Sequence, residues 1–261
     1  MCLDYFRLIH RIFVAETNVE IVACVLMSKQ IKLWGGKVNV SLWRVNLKDY
    51  FKRKLNKYKL LMDIKEIINE KFSIFGRGYR NKEGKAVLAT RPQQTQDLKW
   101  VHDYITSERA RWATETLRSM AENATKEEMS DFKKLNFEVA TFNGVFSYRN
   151  ARSLVVRSPW LVADIDDLSS VEDAREVQQL LIADKHIETG LCFVSPKGRG
   201  VKWVLRIPEW LQGKDFKAQF EGLQHYVAFH HGITIDKSGS DVCRACFLPW
   251  DKDCFINHQY Q

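Results

Sequence analysis

Asp164 and Asp166 end an apolar run, Trp160-Leu-Val-Ala-Asp164-Ile-Asp166. An apolar stretch that stops in two carboxylates reads as a buried strand delivering both to its exposed end. Residues two apart on a strand point to the same face, so the two side chains converge. Carboxylates held that close repel unless a proton or a cation lies between them. Oxygen-rich pairs of this kind suit hard divalent cations such as Mg²⁺ and Mn²⁺. The same residues also read as a plain strand end before a helix, with Asp167, Ser169 or Ser170 as its cap.

Two further blocks carry chemistry downstream. Ser195-Pro-Lys197-Gly198-Arg199-Gly200-Val-Lys202 lies between two strand patterns. Its glycines allow a tight turn and close approach of a ligand to the backbone. Ser195, Lys197, Arg199 and Lys202 supply a hydroxyl and three cations around it. On the second strand Lys202, Val204 and Arg206 share one face, with Val201, Trp203, Leu205 and Ile207 on the other. Packing the apolar set on a helix leaves Lys202 and Arg206 on an open face. Such a turn holds a triphosphate or is an ordinary hairpin.

In the third block Asp236 precedes a polar turn, and Arg244 follows on an apolar stretch expected as a strand over 243–249. A guanidinium on such a strand must be ion-paired or reach a phosphate. Asp241 is the local candidate partner, and that pair alone would staple the turn.

The elements that must position these residues alternate from Phe137 onward. Strands are expected at 138–142, 153–157, 160–166, 190–195, 200–207 and 243–249. Helices are expected from Ser170 to Asp184, with Val171, Ala174, Val177 and Leu181 inward, and from Asp215 to His230, with Phe216, Phe220, Leu223 and Val227 inward. This pattern predicts an α+β or α/β sheet covered on at least one face. Upstream, Phe75 to Pro92 reads as loop. A long helix is expected from about Asp97 to Glu122, with Leu98, Val101, Ile105, Trp112 and Leu117 near one face. Thr125-x-x-Glu128 is a capping box that starts another helix. The expected organisation is a basic extension over 1–60, a mainly helical region over 61–135 packing on the core, and the core itself over 136–261.

Composition narrows the class. With 45% apolar, 28% charged and 12% aromatic residues the chain is an ordinary globular one, long enough for a real core. No apolar run reaches the length of a membrane span and no secretory leader is read, so a cytoplasmic protein without membrane attachment is expected. The net charge of +8 is local, because residues 29–61 hold ten Lys and Arg against Asp49 alone. With Tyr50, Phe51 and Tyr58 interleaved, that segment reads either as a track for a phosphate backbone or as a solvated helix face. The six cysteines are expected as free thiols. A Cys3His zinc site from Cys243, Cys246, Cys254 and His258 is disfavoured, since a strand sends Cys243 and Cys246 to opposite faces.

Taken together, the three blocks resemble the motif order of the archaeo-eukaryotic primase, or primase-polymerase, superfamily. More narrowly, the chain resembles the VirE N-terminal, primase-like domain of Bacteroides-type mobile elements over about residues 63–258. The run Lys134-Leu-Asn-Phe-Glu-Val-Ala-Thr-Phe-Asn-Gly144-Val-Phe146 is similar to that family's opening strand. The resemblance implies an α+β fold: a mixed or antiparallel catalytic sheet with flanking helices, preceded by a helical region. It also implies a metal-dependent nucleotidyltransferase, a DNA primase or primase-polymerase of a mobile element or phage-like replication module. Asp164, Asp166 and Asp236 would hold two Mg²⁺ or Mn²⁺ ions. Ser195, Lys197, Gly198, Arg199, Gly200, Lys202 and Arg244 would bind the nucleotide phosphates. Its partners would be a single-stranded DNA template, nucleoside triphosphates and a helicase on a separate polypeptide. Lys202 stands where the superfamily usually has His, and it supplies a point charge but no neutral imidazole chemistry. A non-catalytic nucleic-acid-binding module of a replication or mobilisation complex is the alternative. A haloacid-dehalogenase-type phosphohydrolase is disfavoured, because Asp167-Leu168 stands where that motif places Thr or Val.

Overall fold

A computed structural model describes residues 70–121 and 123–261. The expectations for residues 1–60, the basic segment 29–61 among them, lie outside the described residues.

The chain enters through four short strands, β1 (Phe72–Phe75), β2 (Tyr79–Arg80), β3 (Ala86–Val87) and β4 (Gln94–Gln96). Residues 75–92 are therefore not loop throughout, since β2 and β3 form a small hairpin. Two helices follow, α1 (Leu98–Thr106) and α2 (Arg111–Met120), separated by a 3-10 turn at Glu108–Ala110. The single long helix expected here is broken at Ser107. That residue is extended, and its hydroxyl donates to the Tyr104 carbonyl and accepts from Arg109 N. A serine hydroxyl competing for backbone groups in this way ends a helix. The break resets the helical phase, which is why Trp112, expected inward, is 65% exposed while Leu98, Val101 and Ile105 are buried.

After α3 (Lys126–Asn136), started by the reciprocal Thr125–Glu128 capping box, come β5 (Val139–Thr141), β6 (Gly144–Phe146), β7 (Leu154–Arg157) and β8 (Trp160–Ile165). The run from Lys134 to Phe146 is thus a helix end and two short strands, not one opening strand. Next are α4 (Val171–Ile182), β9 (Thr189–Val194), β10 (Val201–Arg206), α5 (Phe216–His231), β11 (Cys246–Phe247) and β12 (Phe255–Ile256). Ser170 caps α4 through Asp173 N, and Asp215 caps α5 through Ala218 N. Gly232 ends α5 with a left-handed φ of 66°, where a side chain would be strained.

Eight strands form two four-stranded sheets, ordered β11-β5-β1-β4 and β12-β9-β10-β8, while β2–β3 and β6–β7 are two-stranded, and all pairings are antiparallel. The fold is α+β. One face of the second sheet presents Leu161, Ala163, Cys192, Trp203 and Leu205 to α4 and α5, where Ala174, Leu181, Phe220, Leu223 and Val227 complete the core. The other face presents Trp160, Leu191, Phe193 and Val204 to the first sheet and α1, against Phe72, Ile74, Ala140 and Ile105. Both faces are covered, so the open face expected for Lys202 and Arg206 does not exist. Arg206 bonds Glu70 and Tyr260, and Lys202 is buried. Among the described residues no helix is long and apolar enough to cross a membrane.

Candidate functional site

A sheet covered on both faces leaves its ends as the places where polar side chains can meet a ligand. At the end of β8, Asp164 and Asp166 emerge two residues apart. Asp236 reaches them because its backbone N–H donates to the Asp164 carbonyl at 2.8 Å, tying the segment after α5 to the strand. One carboxylate oxygen from each of Asp164, Asp166 and Asp236 lies within 4.8 Å of the others. Among the described residues this is the one group of three or more His, Cys, Asp or Glu ligand atoms so close together. Cys243, Cys246, Cys254 and His258 do not assemble a zinc site. Cys243 packs with Phe75 and Phe146, whereas Cys246 and Cys254 sit in the core between the two sheets.

The three acids differ in surroundings. The Asp164 side chain is 14% exposed, against 48% for Asp166 and 35% for Asp236. Asp236 starts a 3-10 turn, and its carboxylate accepts from Ser238 N at 3.0 Å and from the Ser238 hydroxyl. Burial alone would raise its pKa, but those bonds, with Arg244 and Lys202 nearby, hold it below the ordinary value. Asp166 is pushed the other way, first by burial and then by the charges of Asp236 and Asp167. That repulsion is what a bound cation relieves. The donor set, three carboxylates and no sulfur or imidazole, fits a hard divalent cation such as Mg²⁺ or Mn²⁺.

Lys202 faces Asp164 directly across the β8–β10 ladder. Its ammonium contacts Asp164 Oδ1 and lies 3.8 Å from Asp166 Oδ1. Burial lowers its pKa to about 8. Arg244 departs from its expected place: it leaves a turn ahead of β11, is exposed, and pairs with Asp236 at 3.5 Å. The Asp241 carboxylate is instead engaged by Cys243 N, so the expected Asp241–Arg244 side-chain staple is replaced by an Asp236–Arg244 pair.

The glycine turn is tight. Ser195 N donates to the Gly200 carbonyl at 2.8 Å and Gly198 N to the Ser195 carbonyl at 2.9 Å, with Gly198 at a φ of 80°. Asp167 is the one non-glycine with positive φ among the described residues, at 60°, beside the acids. Left-handed backbone is tolerated by Asp but carries a cost, and such residues concentrate at functional sites.

The acids, Ser195, Lys197, Arg199, Lys202 and Arg244 all line one cavity of about 1220 Å³. Gly198 and Gly200 do not line it; they form the turn that carries Lys197 and Arg199. Sequence reasoning missed Lys133 and Lys134 at the end of α3 and Arg149 between β6 and β7, which line the same cavity. Burial lowers the Lys133 pKa, and the neighbouring Lys197 charge adds to the effect. Seven Lys and Arg against five Asp line the cavity, so its wall is suited to a polyanion. A Lys-Lys pair ending a helix gave no local hint, because helix C-termini are enriched in cations anyway.

Residues 132–255 match the family model described as BT4734-like, N-terminal domain. The matched stretch, less than half of the chain, contains the three acids, the glycine turn and Arg244. Comparisons with curated proteins and with solved structures give no match.

Proposed function

We propose that this chain is a metal-dependent nucleotidyltransferase, a DNA primase or primase-polymerase of a mobile-element or phage-like replication module. The observation that carries this reading is the convergence of Asp164, Asp166 and Asp236 on the floor of a cavity walled by cations. The motif order and the resemblance to the primase-like VirE N-terminal domain support it further. A 3′-hydroxyl held at the acids would pass its proton to water and form a bond to the α-phosphorus of a nucleoside triphosphate. The bond to the β-phosphate would break and pyrophosphate would leave. Mg²⁺ or Mn²⁺ at the three carboxylates would supply Lewis-acid activation of the hydroxyl and charge neutralisation at the phosphates. Lys133, Lys197, Arg199 and Arg244 would bind the triphosphate, where negative charge builds during transfer. A single-stranded DNA template is the partner this reading requires.

One observation favours a second reading, a non-catalytic nucleic-acid-binding module. The Lys202 ammonium already neutralises Asp164, so the acids and cations could hold each other without a metal. Isothermal titration separates the two. The enzyme binds Mn²⁺ and a deoxynucleoside triphosphate, each tightening the other, loses both with Asp166→Asn, and extends a primer on single-stranded DNA. The module binds DNA but neither ligand.

A further inference from the structure

We propose that the Lys202 ammonium occupies one of the two cation positions of the carboxylate cluster, so that the cluster takes up one divalent ion and not two. This rests on the reading of the cluster as a metal site. The register fixes the lysine there: Lys202 lies opposite Asp164 on one side and Phe193 on the other. Its side chain is only 11% exposed, so its stem is committed to the sheet and its charge must be met at the cluster. The ammonium touches Asp164 Oδ1 and stands 3.8 Å from Asp166 Oδ1, spanning the Asp-x-Asp pair as a bridging ion would.

The remaining room is on the other side. Asp166 and Asp236 are the more exposed acids and face the cavity, so a single ion fits between them with Asp164 as third ligand. Charge leads to the same count. Three carboxylates with Lys202 and Arg244 leave the cluster one negative charge short of neutral. One divalent ion turns that to a single positive charge, suited to a triphosphate. Two would bring three positive charges into a site where the ammonium is desolvated and cannot withdraw, and like charges about 4 Å apart are costly there.

The test is the Mn²⁺ stoichiometry of the full chain, read from the paramagnetic resonance of free Mn²⁺ with no nucleotide present. Wild type is expected to bind one ion at the cluster, Lys202→Arg one, and Lys202→Met two. Asp166→Asn with Asp236→Asn should abolish the cluster's binding in each background. Two ions in wild type, or one in a folded Lys202→Met, overturns the inference while leaving the metal site standing. No ion in either protein overturns the metal reading and this inference with it. Should Lys202→Met fail to fold, the wild-type count decides alone.

Discussion

Gly200 joins the glycine turn to the acids with no space for a side chain. A Cβ there would press into the Ile165 carbonyl oxygen across the ladder, and would stand 3.1 Å from Asp166 Oδ1 and 3.2 Å from Ser195 Oγ. Backbone cannot rotate aside as a side chain can, so in Gly200→Ala β8 and β10 must part by about 1 Å at this end. Overpacking of this kind costs roughly 2–3 kcal/mol, which lowers the melting temperature by roughly 5–10 °C in a unit of this size. The displaced strand end carries Asp166 with it, so Mn²⁺ affinity should fall about tenfold, equivalent to about 1.4 kcal/mol. Gly84→Ala is the control. Nothing lies within 4 Å of its Cβ, and only its φ of 78° is strained, so it should cost about 1 kcal/mol and leave metal binding unchanged. Urea denaturation and Mn²⁺ titration of both variants measure these effects. A Gly200→Ala protein as stable as Gly84→Ala, with unchanged Mn²⁺ affinity, would refute the close approach and its link to Asp166.

Asp251 is fully buried and receives Arg175, Val194 N at 2.8 Å and Asp253 N at 3.1 Å. Asp251→Asn should therefore cost about 3 kcal/mol in urea denaturation, because Arg175 and an amide lose a charged partner. Asp184 predicts a pH dependence. Burial would raise its pKa, but bonds from His186 N, His231, Ile187 N and Tyr226 outweigh that and hold it below its ordinary 3.8. A carboxyl depressed in the folded state contributes stability that is full above the unfolded value and vanishes as pH falls through the folded one. The stability gap between wild type and Asp184→Asn, measured from about pH 6 down to about pH 3, should narrow below about pH 4, and a constant gap would contradict the assignment. Asp164→Asn should destabilise more than Asp166→Asn, by about 2 kcal/mol, since it strands the buried Lys202 while Asp166 is half exposed. Lys133→Ala should weaken nucleoside triphosphate binding several-fold by titration, with an unchanged circular dichroism spectrum.

Much of the second half was legible because its signals are local. The apolar run of β8, the helix starts at Ser170 and Asp215, and the apolar spacing of α4 and α5 each follow from a few neighbouring residues. The strands missed in the sequence, β1 to β4, β6 and β12, are two to four residues long. That is too short for an alternation to stand out, and they are held by their partners more than by their own pattern. The alternation of β10 puts Lys202 on the correct strand but predicts an open face for it. Strand alternation says which residues share a face, but not what covers it, and here the first sheet does. The apolar neighbours Val242, Cys243 and Ala245 predict a strand at Arg244. Those residues instead cover the edge where β11 meets β5, as Cys243, Val242 and Ala245 pack with Phe75, Val139 and Phe146.

The position of the third carboxylate follows from that same segment. Residues 236–248 are strung between the two sheets. Asp236 N bonds the Asp164 carbonyl at the end of the second sheet. Further on, the Val242 carbonyl accepts from Asn143 Nδ2 at 3.1 Å and β11 pairs with β5 in the first sheet. Each anchor contributes on the order of 1 kcal/mol, too little to place a charged side chain beside two others of the same sign unless all act together. Lys133 and Arg149 reach the cavity from the first sheet's side, and the acids reach it from the second's. The acids therefore meet Lys133, Lys134 and Arg149 only when the two sheets are docked. An anion bound across the cavity would hold both sides at once, and its affinity would contribute directly to the stability of that docking.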